Sequence, residues 1–334
     1  MAANSSIKRE RIEGLLRRFR QLYGDGGVNV LRAPARINIL GEHVDYVSYL
    51  PTASLAFGSR EYGMLMLFRP SGEGKVRGAS MHGPFAPFEF LLNETAPHKD
   101  GEESWEEFVF NRPIPPPHWS NYVKGAVSFA QWKHRTLTRG FDFLIDSTIP
   151  PNSGASSSSA LVVLAGAAIR QVNQIEFSLA ELAQDSAQAE WFLGTRGGAL
   201  DHTAICLAKQ GCAVHLSYAD NRAELVPLLG EPFRWVTFFS HPADKGREVM
   251  LEYNERAAVS RLLIPALLET AGMVDALPLT ITLAEVAQRY PATFAKCQQI
   301  FPALAGERFF HPLKLRDRAL HHAGEVKRVA QAVA

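Results

Sequence analysis

Phe141-Asp142-Phe143-Leu144-Ile145-Asp146 runs through Ile149-Pro150-Pro151-Asn152-Ser153-Gly154-Ala155-Ser156-Ser157-Ser158-Ser159 into the apolar run Ala160–Ile169. The first six residues alternate as a half-buried strand does, and the last run is a strong helix former. The order is strand, polar small-residue loop, helix. A serine- and glycine-rich stretch is usually a linker, but a linker has no reason to sit between an apolar strand and an apolar helix. A phosphate-binding loop must sit there, because unpaired N–H groups at a helix start point at the anion. Small side chains let phosphate oxygens approach the backbone, and hydroxyls add donors or cation ligands. The helix dipole contributes only ~0.3–1 kcal/mol per charge, up to ~2, so a triphosphate held here needs Mg²⁺ and further partners. No Gly-Lys-Ser/Thr follows, which removes the P-loop reading. Ser156 and Ser158 lack Gly-x-Ser-x-Gly flanks, which removes the nucleophile elbow.

Upstream, Arg36, Glu42, His43 and Asp45 fall within ten residues. Such a cluster is commonly a surface turn with a solvated ion pair. Here Ile37, Ile39 and Leu40 are interleaved with it, which would anchor the segment while the polar heads face one cleft. Carboxylates and an imidazole converging on a cleft suit a polyhydroxylated ligand, whose hydroxyls donate to carboxylates and accept from cations or N–H groups. Downstream, Asp201 follows the Gly194-Thr195-Arg196-Gly197-Gly198 turn, where it could equally cap a helix.

The remaining chain sets the background. Its 334 residues suggest about two domains. With 46% hydrophobic and 21% charged residues it fits a folded water-soluble protein rather than a disordered or membrane chain. A net charge of +1 supplies no field for nucleic acid or an anionic membrane, and the longest apolar run, 10 residues, is too short to span a bilayer. Cys206, Cys212 and Cys297 form no zinc-type pair and read as reduced cysteines of a cytoplasmic protein. Residues 1–23 read as an amphipathic surface helix rather than a signal peptide, and Glu10 and Glu13 argue against a mitochondrial presequence. Strands are expected at Val28–Leu31, Tyr62–Phe68, Ala213–Ser217 and Trp235–Phe239, with a strand or a polar turn over 32–41. Asn93–Pro117 reads as an exposed loop. Helices are expected at Tyr122–Trp132, Leu179–Leu193 and Ala204–Lys209, and over most of the chain after Lys245.

Taken together, Arg32-Ala33-Pro34-Ala35-Arg36-Ile37-Asn38-Ile39-Leu40-Gly41-Glu42-His43-Val44-Asp45-Tyr46, the Ile149–Leu161 loop and Glu190–Asp201 make the chain resemble the galactokinase group of the GHMP kinases. Each motif alone is moderately specific; three in order are highly specific. The resemblance runs from about Val28 to His321. Pro150-Pro151 and the four serines, with the Glu190–Asp201 segment, lean toward the N-acetylgalactosamine kinase branch. The resemblance implies an α+β protein with a ribosomal S5 domain 2-like N-terminal unit over 1–217 and an incomplete ferredoxin-like C-terminal unit over 218–334. It also implies transfer of a phosphoryl group from ATP, with Mg²⁺, to the anomeric hydroxyl of a galactose-type aldose, with no nucleic-acid or membrane partner.

Carried over by position, Arg36 matches the arginine that stabilises the transferring group, and Asp201 the aspartate that orients or deprotonates the hydroxyl. Glu42, His43, Asp45, Gly198 and Tyr253 match sugar contacts. Gly154, Ser156, Ser157 and Ser158 match the phosphate loop, and Ser158 and Glu190 the metal side. Val44, Ala155 and His202 depart from the usual residues, and the loop after Asp45 is about two residues tighter and lacks the family's glycine. The family's third, Gly-rich motif is expected beyond the amphipathic helix Arg316–Val329, whose apolar stripe is read as Leu320, Ala323, Val326 and Val329, and after which the chain stops at Ala334. The missing motif favours one rival, a sugar and nucleotide sensor that does not turn over, against which Arg36 and Asp201 speak; a second rival, a kinase for a non-sugar alcohol, is opposed by Glu42-His43-Val44-Asp45.

Overall fold

The computed structural model describes residues 2–334 except 48, 73, 98–102, 231, 244–245 and 301–311. Helix α1 (Ala2–Tyr23) leads into strands β1 (Asn29–Leu40), β2 (Ala53–Pro70), β3 (Lys75–Ser80) and β4 (Phe88–Leu91). Helices α2 (Trp105–Asn111) and α3 (Ser120–His134) precede strand β5 (Phe141–Ser147). After it come α4 (Ser157–Val172), α5 (Leu179–Glu190), α6 (Leu200–Leu207) and the hairpin β6 (Cys212–Ser217) and β7 (Arg222–Pro227).

These strands form one mixed sheet. The long β2 pairs antiparallel with β1, with β5 over 64–70 and with β6 over 53–56. Only β3 and β5 run parallel. The helical stretch that the sequence places after β5 is α4, whose alanine- and valine-rich surface is buried nearly all round. A helix apolar on every side belongs inside a layered fold, and α4 joins Phe141, Phe143, Ile145, Met66 and Phe68 in the main core. On another part of the sheet, Leu15 and Phe19 of α1 pack with Leu67, Ala79 and Leu144, as the amphipathic pattern of the N-terminus predicts.

Beyond the sheet the chain is helical: α7 (Arg247–Ala258) and α8 (Ile264–Ala271) are joined by a π-turn, followed by β8 (Ile281–Thr282), α9 (Leu283–Arg289), α10 (Pro291–Ile300), β9 (Pro312–Leu313) and α11 (Leu315–Val333). The sheet of a ferredoxin-like unit is not formed among the described residues; β8 and β9 pair over two residues each. The sequence here repeats apolar residues at helical spacing rather than alternating them, so helix wins. Tyr46 and Val47 of the loop after β1 are buried in this second core with Leu263, Ile264, Leu315 and Ala319.

Several local expectations need correction. Residues 29–40 make one strand rather than a strand followed by a polar turn, and β2 begins at Ala53, well before Tyr62. The Asn93–Pro117 stretch contains α2, whose Trp105 is fully buried. Trp235–Phe239 forms no strand, because no described segment pairs with it, and Phe238 is 90% exposed. In α11 the buried positions are Leu315, Ala319, His322, Glu325 and Val329, while Leu320 is exposed. Polar side chains with fixed partners occupy places that an apolar count assigns to carbon. No helix among the described residues is long and apolar enough to cross a membrane.

Candidate active site

Arg36 lies in β1, whose backbone reaches the serine loop directly: Arg36 N–H donates to Ala155 O over 3.3 Å. Its guanidinium then meets two partners, Asp201 Oδ1 at 2.6 Å and Ser156 Oγ at 2.7 Å. The Ser156 hydroxyl donates in turn to Asp201 Oδ2. Strand, loop and helix α6 thus converge on a closed three-residue cluster. Asp201 does not cap α6: Ala199 holds that place, and the carboxylate turns toward Arg36. Burial alone would raise the pKa of Asp201, but the Arg36 charge and the Ser156 hydrogen bond outweigh it and hold the carboxyl below its ordinary value.

Ser156 has a left-handed backbone (φ 57°) and makes no side-chain capping bond to α4. An N-cap serine normally satisfies one of the first amide N–H groups of its helix. With its hydroxyl committed to Arg36 and Asp201, the start of α4 is left able to receive an anion, as the sequence pattern predicts. Gly154 (φ 70°) turns the loop just before it, with no atom near its missing Cβ.

Ser158 hydrogen-bonds Tyr122, whose phenol burial pushes up to about 12 with help from the nearby Glu190 charge. Ser159 Oγ lies 3.3 Å from both Glu190 carboxylate oxygens. His202 Nε2 stands 3.2 Å from Glu190 Oε2 but out of hydrogen-bond alignment, and neither ring nitrogen has another partner. Ser159 and His202 are contacts of Glu190 that sequence spacing does not reveal. The hydroxyls and the carboxylate form an oxygen-rich corner beside the start of α4. Hard divalent cations such as Mg²⁺ accept one or two protein oxygens and complete their shell with phosphate and water; Glu190 offers such oxygens, and the hydroxyl in contact with it is that of Ser159 rather than Ser158.

Asp45 is the nearest neighbour on the other side. Its Oδ2 accepts from Leu200 N–H over 3.4 Å, at the start of α6. Protein closes round it, and a Cβ on Gly198 would stand 2.3 Å from the Asp45 carbonyl oxygen and 2.5 Å from Oδ2. Only glycine lets the two segments approach this closely. Burial, with the Asp201 charge added, lifts the Asp45 pKa to about 6. The turn carrying Gly198 is itself pinned: Asn254 of α7 accepts from Arg196 N–H and donates to Gly194 O, and Trp191 Nε1 donates to Gly197 O.

His43 has a left-handed backbone (φ 56°) and hydrogen-bonds the Tyr46 hydroxyl at 2.9 Å, while its ring lies 5.2 Å from that of Tyr253. Burial lowers the His43 pKa, partly offset by Glu42. Glu42 is exposed and accepts from Asn38 Nδ2 at 2.7 Å. The sequence-predicted residues therefore fall into two adjoining groups, Arg36–Ser156–Asp201 at the start of α4 and Glu42–His43–Asp45–Gly198–Tyr253 beside it.

What holds the second group in place is a set of contacts distant in sequence. Gly41 (φ 88°) packs so tightly that a Cβ would meet Ala53 O at 2.5 Å, and its N–H donates 2.6 Å to the buried carboxylate of Glu325 in α11. From the same helix His321 Nε2 bonds Glu42 O at 2.9 Å and His322 Nδ1 bonds the Tyr49 hydroxyl at 2.7 Å. Helix α11 is strapped across the 41–50 loop by three side chains more than 270 residues away in sequence.

With this geometry in view, comparison with known proteins is specific. The family model described as GHMP kinases N terminal domain matches residues 121–209, and that described as galactokinase galactose-binding signature matches residues 17–53. A galactokinase of Lactococcus lactis subsp. cremoris (strain MG1363) is 30% identical over 254 residues, covering 75% of this chain and 58% of the relative. One from Lactobacillus helveticus is 27% identical over 218 residues, covering 65% and 51%. The chain spans about half the length of the curated relatives it matches. The crystal structure of Lactococcus lactis galactokinase complexed with galactose superposes with a TM-score of 0.66 at 24% identity, covering 96% of this chain and 73% of that one, a likeness of fold. The two signature segments meet at Arg36, Ala155 and Asp201, and these matches support the GHMP kinase family, galactokinase branch, for this chain.

Proposed function

We propose that the chain transfers the γ-phosphoryl group of ATP to the anomeric hydroxyl of a free galactose-type aldose, giving the sugar 1-phosphate and ADP. The observation that carries this reading is the Arg36–Ser156–Asp201 cluster at the start of α4, directly beside Asp45. One group offers a cation and helix N–H groups for phosphate; the other offers carboxylates and aromatic faces for a polyol.

In this reading the anomeric oxygen bonds to phosphorus as the bond to the β-phosphate oxygen breaks, and the hydroxyl proton passes to Asp201. The depressed pKa of Asp201 makes it a weak base. A loose phosphoryl-transfer transition state suits a weak base, since the nucleophile keeps its proton until late and positioning with charge stabilisation dominates. Arg36 holds Asp201 in place before substrate arrives and stabilises the transferring group afterwards. Gly154, Ser156, Ser157 and Ser158 hold the phosphates, Ser156 through its backbone N–H because its hydroxyl is already committed. Bound at Glu190 beside the serine loop, Mg²⁺ would neutralise charge on the phosphate oxygens. Glu42, His43, Asp45, Gly198 and Tyr253 hold the sugar.

The N-acetylgalactosamine lean rests on Pro150-Pro151, the serine run and the Glu190–Asp201 segment, and the matched relatives add nothing to it, so galactose and N-acetylgalactosamine are both candidates. The two-unit division, 1–217 and 218–334, is part of the same reading, with the join better placed after β7 because that strand pairs with β6. The test is product identity: incubate the chain with MgATP and each sugar and follow the phosphorus resonance. A sugar 1-phosphate supports the proposal, and ATP consumed without one, or not at all, contradicts it.

A further inference from the structure

Behind the wall formed by His43 and Tyr46 lies an open cleft of about 330 Å³ between α7 and α11, of the size that small ligands occupy, roughly 300–1,000 Å³. Arg36, Asp45, Asp201 and Tyr253 do not line it, while His43 does, so the cleft shares one wall with the group already described. Its charge is lopsided. Arg256, Lys314 and Arg318 face it, and Asp317 is the single acid in its lining.

Several arginines elsewhere in the chain are neutralised: Arg11 by Asp146, Arg36 by Asp201, Arg77 by Asp142 and Arg170 by Asp185. Arg318 is not. Its Nε is buried without a hydrogen-bond partner, and among the described residues its side chain makes no ion pair. Arg256 reaches only Glu252, at 3.6 Å with both side chains about half exposed, an arrangement that contributes little. Burial lowers the Arg318 pKa and the Arg256 charge lowers it further, with Glu255 opposing. Like charges gathered in a partly dry cleft, with the Arg318 Nε–H left without a partner, are relieved by an anion that accepts several N–H bonds at once.

We propose that this cleft is a second ligand site, one that takes a small phosphate-bearing anion and is independent of the phosphate loop at α4. Guanidinium forks match the tetrahedral oxygens of phosphate, and the Lys314 ammonium adds a third charge. His321 lines the same cleft and also holds Glu42 O. An anion there touches the support of the 41–50 loop. The site does not rest on the sugar-kinase reading.

The experiment is titration calorimetry of the full chain with inorganic phosphate at constant ionic strength, chloride being replaced in step. The loop variant Ser157→Ala/Ser158→Ala is titrated in parallel, so that phosphate bound at α4 is told apart from phosphate bound here. Saturable binding is expected, unchanged in the loop variant and weakened at least tenfold in Arg256→Gln/Arg318→Gln. Lys314→Gln, at an exposed position, serves if the double variant does not fold, with a several-fold loss expected. A hexose 6-phosphate probe then separates the sources: tighter binding than inorganic phosphate assigns a phosphate monoester, and equal binding assigns the free ion. No saturable binding in the loop variant, or binding that Arg256, Arg318 and Lys314 substitutions leave intact, overturns the proposal.

Discussion

The two halves of the candidate active site are held in different ways. Arg36, Ser156 and Asp201 come from the first sheet and the helices packed on it, and each is fixed by a neighbour in the same layer. The Glu42–His43–Asp45 loop leaves that layer. Its Tyr46 and Val47 sit in the C-terminal core, and Glu325, His321 and His322 tie its backbone and Tyr49 to α11. The contrast extends to charge, since the paired Asp201 is held below its ordinary pKa while Asp45, facing that same negative charge, is lifted to about 6. One half is built to keep a charge at any ordinary pH and the other to acquire it near neutrality. Chemistry and sugar recognition should therefore respond to different substitutions.

The largest expected effect comes from Asp201→Asn. The amide still hydrogen-bonds but accepts no proton, so turnover should fall by ~10²–10⁴ with sugar binding retained. Next is Gly198→Ala, whose Cβ collides with the Asp45 backbone and carboxylate; calorimetry should show sugar affinity lost while nucleotide binding stays. Third is Glu325→Ala, which leaves the Gly41 N–H buried without an acceptor at a cost of about 1–3 kcal/mol. Thermal unfolding should drop accordingly, and KM for sugar should rise more than kcat falls. An equal fall in kcat would mean that the strap serves both halves and would dissolve the contrast.

Smaller effects follow from pH. Ionised Asp45 accepts hydroxyl donors more strongly than its neutral acid does, so sugar affinity should rise with pH through about 6 and level off above it; below that point it should fall by at most about tenfold per unit. His322, buried and tied to Tyr49, is held down to about 4 from an ordinary 6.5. The unfolded chain therefore binds a proton that the folded chain refuses between these values. Stability from this group is complete above about 6.5 and is lost as pH falls toward 4. His322→Gln should remove that part of the pH dependence, read as midpoint against pH.

How much of this was legible in the sequence follows the same division. β5, the serine loop and α4 are contiguous, and their order alone dictates a phosphate-type loop. Arg36 and Asp201 were singled out by residue type and setting, but that Ser156 joins them, rather than capping α4, depends on a left-handed backbone at that serine. The strap of α11 was hidden. His321, His322 and Glu325 look like the polar side of an amphipathic helix, because their partners Glu42, Tyr49 and Gly41 lie at the other end of the chain. The same blindness turned the α11 stripe onto Leu320, which is exposed. Trp235–Phe239 failed in the opposite direction: its composition is that of a strand, but a strand needs a neighbour and no described residue supplies one.

The most direct measurement is ADP release by wild type and Asp201→Asn, with galactose as the first sugar and N-acetylgalactosamine as the second, beside calorimetric binding of the same sugar. The account predicts sugar-dependent ADP release in the wild type, its loss by ~10²–10⁴ in the variant, and sugar affinity equal within a few-fold in both. ADP release that ignores the sugar, or that survives the substitution, would contradict it.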